Sequence, residues 1–239
     1  MTYTLLITTK NKPEFIKDIL SKFKTNYEVE ILVFDIDPQD DKINNLCKQH
    51  NAIRVLVEQK GMAWCFNHAL EISKYEYIVY CQDDVEIFPY CFDMLYDEYV
   101  KQDKFFLLSP NITEKNICNL ENGTSIQEIN YKEEYLGRLF CSFIISKTNY
   151  HKVGGFDINF YPVYFEDMDF FHRAKLLGLK VGSVSNIKVH HLAGQTTRVN
   201  GGYEGYLARS EIYYLNKWGG QPRQEIYTIP WNGKEPIPW

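Results

Sequence analysis

Three clusters of side chains in this 239-residue chain could do chemistry. The first is Gln82-Asp83-Asp84-Val85-Glu86, where a run of β-formers, Tyr77 to Cys81, stops in a carboxamide and three acids before turning at Pro89. Acidic groups at a buried strand end are costly unless something positive meets them, and in an open α/β sheet that end is where ligands bind. Oxygen donors there suit a hard divalent cation, Mg²⁺ or Mn²⁺, which keeps open positions for substrate phosphates. One reading is therefore a metal holding a nucleoside diphosphate. The other is a solvated acidic loop, and these residues alone leave both standing. The second cluster is Glu166-Asp167-Met168-Asp169. Carboxylates in a first helical turn are favoured by the helix dipole, so capping accounts for part of it. A carboxylate beside aromatic groups also meets the needs of a general base acting on a hydroxyl nucleophile. The third is His190-His191, closing an apolar run from Ile187. Adjacent strand residues face opposite ways, so at most one imidazole points into a site shared with the acids.

The elements that must position these groups alternate. Tyr3–Thr8 is an apolar, β-branched run that reads as a buried strand. Asn11 is placed to cap the helix that follows, with Pro13 in its first turn. Strand Val29–Asp35 ends in Asp35-Ile36-Asp37-Pro38, and a helix over 42–50 leads to strand Ala52–Glu58. Lys60-Gly61-Met62 opens a helix over 63–73, and the acidic strand end closes the fourth strand. Strand and helix in turn are the mark of a wound, mostly parallel sheet. A helix over 90–101 and a strand over 105–109 follow. Residues 110–135 are polar and weakly periodic, so they read as a surface excursion suited to substrate-specific loops. Arg138–Ser146 reads as a strand, Thr148 as the cap of a short helix ending at Gly154-Gly155, and Gly178 as the stop of the helix begun near Glu166.

Composition narrows the classes. A net charge of −5 with no basic run argues against a general nucleic-acid binder. With 45% hydrophobic residues the chain can bury a substantial core, and its 18 Tyr and 15 Phe can build that core or a platform for a sugar or base. The opening Met1–Ile7 lacks the basic region and the length of a signal peptide, and no stretch is long enough to span a membrane. The expectation is a cytoplasmic protein with six reduced cysteines, none in a CxxC pair. No Walker loop and no G-x-G-x-x-G follows any strand, which disfavours simple kinase and dinucleotide-dehydrogenase readings.

The order of motifs resembles the GT-A-fold glycosyltransferases of family two, the inverting nucleotide-sugar transferases. The resemblance runs from Leu5-Ile7-Thr8 through Asp35, Gly61-x-Ala63-x-x-x-Asn67 and Gln82-Asp83-Asp84, then Gly154-Gly155-Phe156-Asp157 and Glu166-Asp167-x-Asp169, to the histidine before Leu192. Tyr213-Tyr214 through Lys217-Trp218-Gly219-Gly220 is similar to the family's C-terminal pattern. The resemblance implies one GT-A domain over 1–239, with a nucleotide-binding half (1–109), an acceptor and catalytic half (110–199) and a C-terminal lid and tail (200–239). It implies that Thr8, Asp35 and Asp37 meet the base and ribose, and that Lys60, Gly61 and Asn67 face the donor. Asp83 would approach the ribose or sugar, and Asp84 with His191 would bind Mn²⁺ or Mg²⁺. Gln82 replaces the first acid of the family's D-x-D, leaving Asp84 as the main metal ligand. Asp167 would be the base, with Glu166 shaping the acceptor pocket. The implied activity is hexosyl or deoxyhexosyl transfer, with inversion, from a nucleotide sugar (UDP favoured) to a glycan or similar hydroxyl. A sugar nucleotidyltransferase is the runner-up, but Thr8-Thr9-Lys10-Asn11 is poor in the glycine such enzymes carry there. An inactive carbohydrate- or nucleotide-binding module has Gln82 as its only support. Arg198, Gly201-Gly202, Gly205 and Arg209 suggest either a mobile lid or a plain connection to the last helix.

Overall fold

The computed structural model describes residues 1–58, 60–113, 118–131, 134–192 and 203–234. Strands β1 (Thr2–Thr9), β2 (Glu28–Ile36), β3 (Ile53–Val57) and β4 (Tyr77–Gln82) alternate with helices α1 (Pro13–Lys22), α2 (Lys42–Gln49) and α3 (Met62–Ile72). These four strands are mutually parallel in the order β3-β2-β1-β4. The chain thus leaves β1 on one side and returns on the other, and the crevice beyond the carboxyl ends of β1 and β4 is a topological switch point. Thr8 pairs with Gln82 across it, and Thr9 with Asp35 on the other side.

Side chains along β1 alternate between two cores. Tyr3, Leu5 and Ile7 join Ile16 and Ile19 of α1 on one face, while Leu6 joins Phe66 and Leu70 of α3 on the other. A strand buried on both faces can carry no unpaired polar group, and in β1 the apolar run Leu5–Ile7 is flanked by threonines whose hydroxyls are bonded: Thr4 to Glu30, Thr8 to Tyr80 and Thr9 to Asp83.

Beyond β4 the sheet continues β9-β6-β10-β5, from strands β5 (Val85–Glu86), β6 (Phe105–Thr113), β9 (Ser142–Ser146) and β10 (Lys180–His191). Strand β9 lies antiparallel between β4 and β6, and β10 runs parallel to β6. The register of β10 against β6 shifts twice, by one residue of β6 at Lys180/Val181 and by a bulge of three residues of β10 between Val184 and Lys188. Helix α4 (Cys91–Val100) follows the turn at Pro89, α5 (Lys147–Val153) follows β9, α6 is Glu166–Leu176 and α7 is Tyr203–Trp218. No helix among the described residues is long and apolar enough to cross a membrane.

Four local expectations are corrected. Asn11 does not cap α1: it takes a left-handed backbone, and its side chain bridges to Asp37 O (3.2 Å) and Gln39 N (3.1 Å). The 110–135 excursion contributes strands β7 (Asn119–Leu120) and β8 (Ile126–Ile129), both antiparallel to β10. Only the second half of Arg138–Ser146 is a strand, because Glu134–Cys141 winds as a 3₁₀ segment. Ser146 rather than Thr148 caps α5, its Oγ accepting the Asn149 N–H at 3.0 Å. Of the suggested lid, Arg198, Gly201 and Gly202 lie outside the described residues, whereas Gly205 and Arg209 belong to α7.

Candidate functional site

The strand ends and the start of α6 meet at one cavity of about 540 Å³. Thr8, Asp37, Lys60, Gln82, Asp83, Asp84, Glu166, Asp167 and His191 all line it. On the β1 side, Thr8 Oγ1 lies 2.8 Å from the Tyr80 hydroxyl, and Thr9 donates to Asp83 Oδ2 at 2.7 Å. Burial pushes the Asp83 carboxyl up to about 7. Lys10 Nζ stands 3.0 Å from Asp37 Oδ2, tying the β1–α1 loop to the end of β2.

The two histidines diverge as adjacent strand residues must. His191 Nε2 is 3.1 Å from Asp84 Oδ1, at the cavity. His190 Nδ1 turns instead to Glu86 Oε2 at 2.9 Å. The Leu192 N–H donates to Asp84 O at 2.9 Å, so the end of β10 is fastened to the acidic turn by backbone as well. Asp84 and His191 supply one oxygen and one nitrogen, a donor set that Mn²⁺ or Mg²⁺ accepts. Two protein ligands leave most of a coordination sphere for phosphate oxygens, so the pair fits the implied ion. Among the described residues no three His, Cys, Asp or Glu side chains converge as a closed metal centre.

Three expected donor contacts are not brought to the cavity. Asp35 is fully buried, and its Oδ2 is held by Arg54 Nε at 2.8 Å and Nη2 at 2.7 Å. Asn67 is consumed by structure. Its Oδ1 accepts from the Tyr150 hydroxyl and the Phe156 N–H (2.8 Å), and its Nδ2 donates to Phe156 O at 2.9 Å. Gly61 does permit a close backbone approach, but the backbone is the chain's own: a Cβ there would stand 2.7 Å from Pro162 O.

At the second cluster, Tyr164 and Phe165 both take left-handed backbone, with φ of 80° and 68°, immediately before α6. Neither is glycine, so the turn is strained and the surrounding packing must hold it. That turn delivers Glu166 and Asp167 to the cavity in the first helical turn. Asp167 Oδ1 accepts the Met168 N–H at 2.8 Å. Gly137 faces the same group: a Cβ there would lie 4.0 Å from Asp167 Oδ2 and 3.1 Å from Met168 Cε. Burial raises both carboxyls, and that of Glu166 further through the neighbouring Asp167.

Asp169, the third acid of the cluster, faces away from the cavity into a buried network. It accepts Trp218 Nε1 at 2.9 Å and Arg173 Nε at 2.9 Å, and Lys217 Nζ lies 2.5 Å from its Oδ1. Lys217 also reaches Asp157 Oδ2 at 2.7 Å, and its ammonium sits over the Phe160, Tyr213, Trp218 and Trp231 rings at 5.5–6.0 Å. Sequence reasoning named this lysine and Lys10 only as members of longer stretches, with no role, and missed Arg54 and Tyr206. A lone charge inside an apolar segment, as at Arg54 in Ile53–Val57 or Lys217 beside Trp218, was the available signal, because such a charge requires a buried partner.

The family model described as glycosyl transferase family 2 matches residues 4–160. A second, described as N-terminal domain of galactosyltransferase, matches residues 122–200. No curated protein matches in sequence. Among solved structures, S. aureus TarS 1-349 superposes with a TM-score of 0.62 at 15% identity, over 90% of this chain. GalNAc-T7 with UDP, GalNAc and Mn²⁺ does so with a TM-score of 0.64 at 13% identity, over 91% of this chain. The chain spans 66% of the first and 48% of the second.

Two substitutions test the supports. Lys217→Met leaves Asp157 and Asp169 without their shared cation, and should cost about 3–5 kcal/mol in urea unfolding. Asn67→Ala strands the Phe156 amide and the Tyr150 hydroxyl and should cost about 1–3 kcal/mol. Wild-type unfolding midpoints would remove the weight given to either bridge.

Proposed function

The chain belongs to glycosyl transferase family 2, and from that premise we propose that it moves a sugar from a nucleotide-sugar donor to an acceptor hydroxyl, with inversion. The observation that carries the reading is the meeting of the Asp84–His191 pair with the Glu166–Asp167 turn at one cavity. The family match and the GT-A-like neighbours support a nucleotide-sugar donor. The UDP, GalNAc and Mn²⁺ in the GalNAc-T7 structure support a uridine nucleotide and manganese as the first to try. In this reading residues 1–109 provide the donor side and 110–199 the base, with a glycan or similar molecule as acceptor.

Asp84 and His191 would hold the divalent ion, which when bound stabilises the charge developing on the departing diphosphate. Lys10 and Lys60, the lysines of the described lining, add positive charge at the strand ends. Thr8 and Asp37 line the part of the crevice suited to the nucleoside, and Asp83, braced by Thr9, is placed for the ribose or sugar. Asp167 takes the proton of the acceptor hydroxyl as its oxygen attacks the anomeric carbon opposite the leaving group. One displacement inverts the centre, with no covalent glycosyl-enzyme. Two opposed influences act at the start of α6: the helix dipole helps keep the carboxylate ionised before transfer, and burial, which outweighs it, makes that carboxylate a stronger base than an exposed aspartate.

Asp167→Asn should keep nucleotide binding and lose about 10²–10⁴-fold in transfer rate. Full activity in that variant would end its assignment as base. Because burial holds the Asp167 carboxyl above its ordinary range, protonation disables it at a higher pH than it would an exposed aspartate. The wild-type rate should therefore fall as pH drops through that raised range and recover as it rises. Asp84→Ala should weaken UDP binding, measured by calorimetry, when Mn²⁺ is present. Equal affinities with and without metal in the wild type would count against the ion site.

A further inference from the structure

The cavity lining divides by chemistry. Its lysines among the described residues, Lys10 and Lys60, both come from loops at the strand ends of the sheet. The stretch Tyr161–Phe165, joined by Tyr206 of α7, is aromatic and aliphatic throughout. These two pieces form one wall. Ser210 Oγ donates to Val163 O at 3.1 Å, and Tyr206 lies one helical turn before Ser210, on the same face of α7. Tyr161 and Tyr206 nonetheless remain 39% and 40% exposed. Ring surface left open at the rim of a cavity is surface a ligand can cover. The ionisable carboxyls that follow this wall in the chain, Glu166 and Asp167, are both acidic.

Resting on the glycosyl-transfer reading, we propose that the acceptor is an uncharged sugar ring that packs on the Tyr161–Tyr206 wall with its reacting hydroxyl turned to Asp167. The C–H face of a pyranose matches an aromatic face in size and polarity. Its hydroxyls project at the ring edge, where the phenol groups of the two tyrosines and the carboxyl of Glu166 can meet them. A phosphorylated or uronic-acid acceptor would bring negative charge to the Asp167 carboxylate without meeting a cation among the described residues of this wall, and like charges brought together suppress binding. A single serine, threonine or lipid hydroxyl would reach the base but leave the two rings largely uncovered.

The test uses the full chain saturated with UDP and Mn²⁺, applied to an immobilised panel of neutral, sialylated, uronic-acid and phosphorylated oligosaccharides. Calorimetry then follows the best-retained compound for the wild type, Tyr161→Ala, Tyr206→Ala and Tyr206→Phe. We expect neutral oligosaccharides to be retained in preference to charged ones. Each alanine variant should bind them at least tenfold more weakly with UDP affinity unchanged, and Tyr206→Phe should keep most of the affinity. Preference for acidic compounds, no retention of neutral ones while UDP binds, or alanine variants that bind like the wild type would each overturn the proposal. Failure to bind UDP at all would instead overturn the reading on which it rests. The comparison of neutral with charged compounds needs only the wild type, so it stands even where an alanine variant folds poorly.

Discussion

A lysine ammonium that is almost wholly buried is tolerable only if every partner is in place, and Lys217 is such a group. Removing an ion from water costs several kcal/mol even after relaxation. Asp157, Asp169 and four aromatic faces return that energy together or not at all. These partners belong to four segments: the loop after Gly154-Gly155, helix α6, helix α7 itself and the short turn Pro230–Gly233 that carries Trp231. Lys217 therefore fixes where α7 lies against α6. Because Asp169 sits one turn below Glu166, the same contact holds the turn that presents the proposed base.

The strain just before that turn becomes intelligible in this light. Two successive non-glycine residues in left-handed backbone would relax if their surroundings let them. Phe165 packs on Tyr214 of α7 with ring centroids 5.4 Å apart, and Ser210 bonds to Val163. The helix that Lys217 anchors thus also pins the strained loop from outside, while the Met62 N–H holds Pro162 O at 2.9 Å from inside. The donor side is organised differently. There the sheet does the work, with pairing such as Thr8 with Gln82 and His191 with Val85 setting the side chains before any loop contact is made.

That difference explains what could be read beforehand. The acidic strand end and the divergence of His190 from His191 followed from periodicity, because a strand's two-residue alternation leaves little freedom, whereas the roles of Thr8 and His191 came from the family resemblance. The family resemblance placed Asp167, and the geometry brings it to the same cavity. Asn67 and Asp35 were assigned by motif, yet hydrogen bonds that no spacing reveals engage them with Phe156 and Arg54. The direction of β9 was equally hidden. A five-residue run buried throughout reads the same in a parallel or an antiparallel strand, and only the short return through Glu134–Cys141 decides it. The aromatic wall escaped notice because its two tyrosines are 45 positions apart and meet only through a docked helix.

The bulge in β10 has a further meaning as a counting device. Three residues lie between Val184 and Lys188 while β6 passes directly from Pro110 to Asn111, so the side chains beyond them have changed phase relative to the Val181–Val184 stretch of the pairing. The imidazole that reaches Asp84 does so because of that parity. Sequence drift in this part of the strand is therefore quantised: substitutions leave the phase intact, whereas a single inserted or deleted residue would offer Asp84 a side chain meant for the other side. Length, more than composition, is what the segment upstream of the histidines has to preserve.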